Sequence, residues 1–405
     1  MRAIQKDFPI LNRKVNGKKI VYLDNASTSQ KPKVFLHALQ QFYTTHNANI
    51  HRGIHTLSTE ATEQYEITRK KIASYIGAAS SEEIIFTKNC TEAINCVRFS
   101  WGQQYINSGD EIIVSGLEHH ANFVPWQTLA KEKGAVLKII PVTANFQLDM
   151  DAYKKMLSKK TKLVCVTSQS NVTGTINPVQ EMARMAHAVG AYIMVDGAQS
   201  VGHKPVNVKK IDCDFFAFSA HKMLGPTGVG VLHVKKTVME QMPPFMYGGE
   251  MVESVQDTQS AYRTGPWKFE AGTPNIADIV AFGTTIDYLK QIGITQIAQH
   301  DKKILAYAKK ILRKYPAVRI FSPTDSALSG NVLSFTVGTV HPHDIATIFN
   351  NEGIAIRSGL HCAEPLARRL GITGTARMSF YIYNNTTDID KVEKALQKVI
   401  KIFKV

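Results

Sequence analysis

The sequence predicts an α/β fold: a mostly parallel, doubly wound sheet in a large domain, joined to a smaller α+β domain. Three observations predict it. From Ile20 to about Ile292, short apolar and β-branched runs alternate with helix-length segments. Those runs are apolar along their whole length rather than at every second residue, as in parallel strands covered on both faces. After Ile292 the rhythm changes to a long, basic, amphipathic stretch. The division expected is therefore residues 20–292 for the large domain, and 1–19 with 293–405 for the small one. A chain of 405 residues is long enough to bury two such cores.

In chain order, the large-domain strands are predicted at Ile84 to Thr87, Glu111 to Ser115, Val136 to Ile140, Leu163 to Thr167, Ala191 to Asp196 and Phe215 to Phe218. The intervening helices are predicted at Thr91 to Trp101, Trp126 to Lys133, Asp151 to Leu157 and Val179 to Val189. In the small domain, helical patterns cover Ile297 to Tyr315 and His343 to Glu352. Strand patterns cover Asn331 to Thr336, Ala355 to Arg357 and Arg377 to Phe380. A last helix is read from Ile389, Val392, Leu396, Val399 and Phe403, which recur at steps of 3, 4, 3 and 4. Thr387 is its expected cap. Asp388 and Asp390 stand near the positive end, and Lys398, Lys401 and Lys404 toward the negative one.

Composition narrows the function. With 44% hydrophobic residues and 20% charged, the chain is globular rather than disordered. Its 48 Lys and Arg against 33 Asp and Glu give +15, which calls for an anionic ligand or partner. Cys90, Cys96, Cys165, Cys213 and Cys362 form no CxxC pair, so neither a disulfide framework nor a zinc ribbon is expected, and a reducing compartment is. The longest apolar runs, such as Lys162 to Val166, fall far short of a membrane span, and Met1 to Pro9 has no apolar signal core. A cytoplasmic protein without membrane or nucleic-acid partners is the expectation.

The chemistry concentrates at strand ends. Tyr192-Ile193-Met194-Val195-Asp196 ends an apolar strand in a carboxylate, at the sheet edge where open α/β folds place ligands. Ser219-Ala220-His221-Lys222 follows the next strand, and a lysine there can be desolvated into an amine nucleophile or proton carrier. A strand-end Asp, Gln199 three residues later and the Ser-x-His-Lys segment together supply what pyridoxal 5'-phosphate requires. These are an anion for the ring nitrogen, a hydrogen bond near the ring oxygen, phosphate donors and an amine for the aldehyde.

At these residues the chain resembles the class V aminotransferase family of fold-type I enzymes, and most of all the SUF-type (group II) cysteine desulfurases and selenocysteine lyases. The resemblance runs through Tyr22-Leu23-Asp24-Asn25-Ala26, Arg52-Gly53-Ile54-His55, Glu118-His119-His120-Ala121-Asn122 and Asn171-Val172-Thr173-Gly174. It continues through Phe269-Glu270-Ala271-Gly272-Thr273-Pro274 to Arg357-Ser358-Gly359-Leu360-His361-Cys362. It implies that Lys222 holds the cofactor, Asp196 pairs with its ring nitrogen, Gln199 bonds its ring hydroxyl and His119 stacks on its face, free to act as acid or base. Thr91, Ser219 and His221 would hold the phosphate, completed by Thr273 from the second subunit of a homodimer. Arg377 and Arg357 would bind the substrate carboxylate, with His55 and Asn171 lining the same pocket. Asn171 would contact cofactor or substrate.

Cys362 would be the nucleophile that takes sulfur from L-cysteine as a persulfide, with His361, Arg357, Arg368 and Arg369 supplying positive surroundings. No metal is implied. The short loop around Cys362 implies a sulfur acceptor of SufE or SufU type, and the product would serve iron–sulfur cluster assembly. A selenocysteine lyase or cysteine sulfinate desulfinase is the alternative on the same scaffold. Two departures stand out. The family's Gly-Thr-Thr-Glu is here Asn89-Cys90-Thr91-Glu92, which replaces a hydroxyl with a weakly donating thiol and is expected either to lower phosphate affinity or to shift phosphate binding onto backbone groups. The family's Arg-Thr-Gly-His-His-Cys has Leu360 in place of a histidine. His341-Pro342-His343 reads either as a helix start or as an aid to zinc-bearing acceptors, as in some relatives.

Overall fold

Seven strands form the main sheet of the computed structural model, which describes Ile4 to Val405. They are β1 (Ile84–Thr87), β2 (Glu111–Ser115), β3 (Val136–Ile140), β4 (Thr161–Thr167), β5 (Tyr192–Asp196), β6 (Phe215–Ser219) and β7 (Gly230–Val234). Their spatial order is β1-β7-β6-β5-β4-β2-β3. The five strands from β6 to β3 run parallel. β7 alone runs against both its neighbours, so β1 again points the same way as β6. β4, β5 and β6 are buried along almost their whole length, as their unbroken apolar runs require.

This topology brings the carboxyl ends of β1, β2, β4, β5 and β6 to one edge, and every large-domain segment singled out for cofactor chemistry, apart from Thr273, leaves from that edge. Cys90 and Thr91 follow β1, His119 follows β2, Asn171 follows β4, Gln199 follows β5 and Lys222 follows β6. Close packing keeps the edge tight. A Cβ on Gly197, just after Asp196, would lie 2.1 Å from the Phe216 ring, and one on Gly230 would lie 2.4 Å from the Asn89 backbone. Glycine at Gly230 thus lets the turn after β1 settle against the start of β7.

A second, antiparallel sheet has the order β8-β9-β11-β10, from β8 (Val318–Phe321), β9 (Val332–Val337), β10 (Arg357–Gly359) and β11 (Thr375–Ser379). One face packs with Ile389, Val392, Leu396 and Val399 of the helix Thr386–Phe403, so the apolar period read from the sequence is the buried stripe except at its last member, Phe403, which is exposed at the helix end. The N-terminal segment is shared between the two cores. Phe8 and Leu11 pack in the large cluster, whereas Val21 and Leu23 pack with the second sheet, where Val21 and Tyr22 pair in parallel with Ile354 and Ala355.

Several expectations need correction. The strand expected at Ala355 to Arg357 is split: Ile354–Ala355 pairs with the N-terminal segment and Arg357–Gly359 with β11. The helix expected to reach Trp101 is regular only over Cys90–Val97 and continues as a π-turn over Arg98–Gly102. β7 and the long helices Thr56–Ile76 and Ile276–Ile292 were not predicted. The last helix is capped by Asn385, not Thr387: Asn385 and Asp388 exchange side-chain to backbone hydrogen bonds in a capping box. Asn385→Ala is expected to cost about 1 kcal/mol at this end and to speed amide hydrogen exchange in the first turn, whereas Thr387→Ala leaves exchange unchanged.

Candidate active site

The sheet edge opens into a cavity of about 270 Å³ whose walls include Asp196, Lys222, His119, Gln199, Arg357 and Arg377. Thr91, Asn171, Ser219 and His221 line it as well. Ten of the thirteen predicted site residues therefore converge on one space, although they come from both sheets. A larger groove of about 1130 Å³, between the helix Val179–His187 and the segment around Lys204 to Asp212, contains none of them. Among the described residues, no three His, Cys, Asp or Glu side chains are grouped to share a metal ion.

Asp196 ends β5 and is 4% exposed. Burial pushes its carboxyl up, opposed by the Ala198 N–H donating to Oδ1 at 2.8 Å, by the charge of Lys222 and by Cys90. Burial also drives the Lys222 amine below its ordinary value, with Asp196 pulling back and the two arginines pushing further. An amine eased toward its neutral form beside a buried carboxylate can form a covalent bond to an aldehyde and then carry a proton. The turn holding Lys222 is fixed from both sides by Ser29. Its hydroxyl donates to the His221 carbonyl at 3.0 Å and accepts from the Leu224 N–H at 2.7 Å.

His119 follows β2 at the cavity wall. Its Nδ1 accepts the Ala121 N–H at 3.0 Å, which puts the ring hydrogen of the neutral imidazole on Nε2. Burial, then the charges of Lys222, His120 and the arginines, hold its pKa down to about 3. Near neutral pH it is a neutral ring with a donor edge. Beneath it, Glu118 is fully buried and pushed up to about 8 by burial, while its hydrogen bonds pull back. It accepts from the Thr167 N–H and the Asn122 amide, each at 2.7 Å, and bonds the Ser115 hydroxyl. Glu118 thereby ties the ends of β2 and β4 together under His119, a role that the sequence motif did not specify.

At the phosphate end, Asn89 caps the helix Cys90–Val97, accepting the Glu92 N–H at 2.9 Å. The Cys90 N–H donates to Ser219 Oγ at 2.8 Å, which leaves the Ser219 hydrogen free to point elsewhere. Thr91 lies between these fixed donors at the cavity wall. The Cys90 thiol does not join them. It turns to Asp196 Oδ1 at 3.5 Å, so the departure at this position bears on the carboxylate and not on the phosphate donors. His221, held down to about 4 by burial and by Lys222, is likewise neutral here.

The carboxylate end is built around Ser27, which was not singled out from the sequence. Arg377 is 1% exposed and donates to Ser27 Oγ at 2.8 Å, Asp24 Oδ1 at 3.1 Å and the Asn171 carbonyl at 3.0 Å. Arg357 donates to the same Ser27 Oγ at 3.0 Å. Arg377 Nε and Asn171 Oδ1 are buried without partners among the described residues, as expected of groups that await a ligand. Gln199 Nε2 donates to the Ala26 carbonyl at 2.9 Å. These orphaned polar atoms, the half-buried Lys222 with Asp196, and the Thr91 and Ser219 hydroxyls at the cavity wall fit a planar, phosphorylated, cationic-ring cofactor.

Cys362 lies at the rim, in an open groove that it shares with His119, His120, Thr91 and Phe99. His361 and Cys362 both have φ of 55°, two consecutive non-glycine residues in the left-handed region. The His120 N–H donates to the Cys362 carbonyl at 2.7 Å, and Asn171 Nδ2 donates to that of His361 at 2.7 Å. Of the expected positive groups, Arg357 touches the thiol, with Nη2 3.8 Å from Sγ. His361 contributes no charge: it is buried against Thr375 and held down to about 2. Two other predicted residues lie outside the cavity of their own chain. His55 is exposed and caps the helix Thr56–Ile76, its Nδ1 accepting from Ser58, and it lies outside the cavity. Thr273 is exposed beside a separate cavity with Phe86 and Phe245. His341 begins the helix Pro342–Asn351 as its cap.

This fold and this site define a class: residues 21–392 match the aminotransferase class-V family, and the chain belongs to it. Within that family the relatives are more particular. The chain is 46% identical over 400 residues to a probable cysteine desulfurase of Halalkalibacterium halodurans, covering 99% of this chain and 98% of that one. It is 44% identical to a cysteine desulfurase of Haloferax volcanii, over 99% and 97% of the two chains. Among solved structures, a cysteine desulfurase of Thermococcus onnurineus superposes with a TM-score of 0.94 at 38% identity, over 98% of both chains. The cysteine desulfurase CsdA of Escherichia coli gives 0.92 at 36%, over 99% of this chain and 98% of the other. Enzymes of this family use pyridoxal 5'-phosphate.

Two outcomes follow from the geometry. Glu118→Ala leaves three donors facing an empty site and is expected to destabilise the fold by about 3 kcal/mol, read from denaturant unfolding. His119→Asn is expected to lower activity by a similar factor at every pH between about 5 and 8. A pH–rate limb in that window that vanishes in the variant would overturn the neutral assignment.

Proposed function

We propose that the protein is a pyridoxal 5'-phosphate-dependent cysteine desulfurase of the SUF type (group II), converting L-cysteine to L-alanine and leaving the sulfur as a persulfide on Cys362. The observation that carries this reading is the shared wall. Cys362 stands on a constrained turn in contact with Arg357, and Arg357 and His119 also line the cavity that holds Lys222 and Asp196.

Lys222, Asp196, Gln199, His119, Asn171, Thr91, Ser219 and His221 would hold the cofactor. When bound, it supplies an electron sink that makes the bonds around the substrate Cα and Cβ labile. Arg377 and Arg357 fix the substrate carboxylate: Arg377 is braced by Asp24, Ser27 and Asn171, and Arg357 by Ser27, so little side-chain entropy is lost on binding. The Lys222 amine, lowered by burial, takes the Cα proton on Nζ and later returns a proton. His119 excludes water from one face while donating through Nε2. The Cys362 thiolate forms a bond to the substrate sulfur as the Cβ–S bond breaks. That electron pair stays with Cβ, which is protonated to complete alanine.

Thr273, remote from its own chain's cavity, fits a role in the pocket of a second copy, which makes a homodimer part of this reading. The persulfide at the rim would pass to an acceptor of SufE or SufU type in the cytoplasm for iron–sulfur cluster assembly. The two units proposed are residues 20–292 for the cofactor and 1–19 with 293–405 for the cysteine turn; the N-terminal segment crosses between their cores, with Phe8 and Leu11 in the large cluster and Val21 and Leu23 against the second sheet. Among the described residues, no helix is long and apolar enough to cross a membrane.

Cys362→Ser is expected to keep the yellow colour of bound cofactor and to lose at least about a hundredfold in sulfide release from cysteine with a reductant present. Lys222→Ala is expected to lose the colour of the covalently held cofactor. Full desulfurase activity in the serine variant would overturn the role of Cys362.

A further inference from the structure

The mechanism leaves one buried nucleophilic group in the site without a task, the Cys90 thiol. It stands where the resembling family has a threonine, and the geometry shows what it faces. Cys90 is 6% exposed at the start of its helix, its N–H is committed to Ser219 Oγ at 2.8 Å, and its Sγ lies 3.5 Å from Asp196 Oδ1. The Ala198 N–H reaches the same oxygen at 2.8 Å, so both bonds fall on Oδ1 and neither on Oδ2. Gly230 permits this placement, because a side chain there would collide with Asn89 and push the turn away.

Each donor placed on a carboxylate stabilises its charge locally and weakens its hold on a cation opposite. A hydroxyl is a good donor, whereas a thiol is a weak one with a long reach. We propose that Cys90 is a positioning residue that tunes the cofactor's ring nitrogen through Asp196: by bonding the carboxylate weakly, it leaves Asp196 a stronger partner for a protonated ring than a hydroxyl at this position would. The inference rests on Asp196 as the ring-nitrogen partner. Burial and the neighbouring carboxylate push the Cys90 thiol well up, which keeps it in the S–H form that can donate.

Two measurements test it, the first without cofactor. In cofactor-free protein, the S–H stretching band isolated as wild type minus Cys90→Ala is expected to shift when Asp196 is replaced by Asn; a band that does not move would overturn the thiol–carboxylate bond. In the second, pyridoxal 5'-phosphate is titrated into wild type, Cys90→Ser, Cys90→Thr and Cys90→Val, and the visible band of the bound cofactor is followed against pH. The serine and threonine variants are expected to bind about threefold more weakly and to release the ring proton at lower pH, while the valine variant stays close to wild type. Hydroxyl variants that match wild type, or hold the proton more firmly, would overturn the inference. Wild-type protein that takes up no pyridoxal 5'-phosphate would overturn the functional reading, and this inference with it.

Discussion

A lysine amine and a carboxylate must be kept dry in the same small space, and most of the architecture follows from that constraint. Asp196 ends one strand and Lys222 sits on the turn that leaves its parallel neighbour, so their separation is set by strand register together with a turn that Ser29 holds. Burial penalises both charges, and each relieves part of the other's penalty. Such a pair survives only on a rigid frame. The unbroken apolar strands β4 to β6 supply the frame, and Gly197 and Gly230 let backbone and ring pack close to it.

The second sheet adds what the first cannot reach. β11 delivers Arg377 and β10 delivers Arg357, and both converge on Ser27 from the N-terminal segment that runs between the cores. The arginine pair is thus assembled from distant stretches of chain, held by hydrogen bonds that cross the boundary between the cores. Cys362 belongs to this side. Its left-handed turn, pinned through the His361 and Cys362 carbonyls to Asn171 and His120, presents sulfur toward the groove while keeping it close to the arginine.

Charge has a narrower meaning than composition suggested. An excess of 15 positive charges first called for an anionic partner, yet several of the cationic or potentially cationic groups that matter are buried or half-buried and altered. Lys222 and Arg377 are lowered by burial, and His119, His221 and His361 are neutral. The pocket presents a few preorganised donors and not a broad basic field.

The sequence by itself determined the α/β class, the strands that end in Asp196 and Ser219, the buried stripe of the last helix, and the residue types of a pyridoxal 5'-phosphate site. Those are local signals: apolar runs, periodicity, and motifs a few residues long. It missed β7, because a strand opening with glycines after a Pro-Thr-Gly turn carries little propensity, and it missed Asn385 as the cap, because capping depends on where the helix begins. Only the tertiary structure decided that Ser27 joins the two arginines and that Glu118 braces His119. It also set His55 and Thr273 outside the pocket of their own chain and turned Cys90 toward Asp196. Each of these depends on groups far apart in sequence meeting at a few ångströms, and on the loss of water that shifts their charges. A linear pattern names candidate donors and acceptors; only packing determines which of them face each other and in what protonation state.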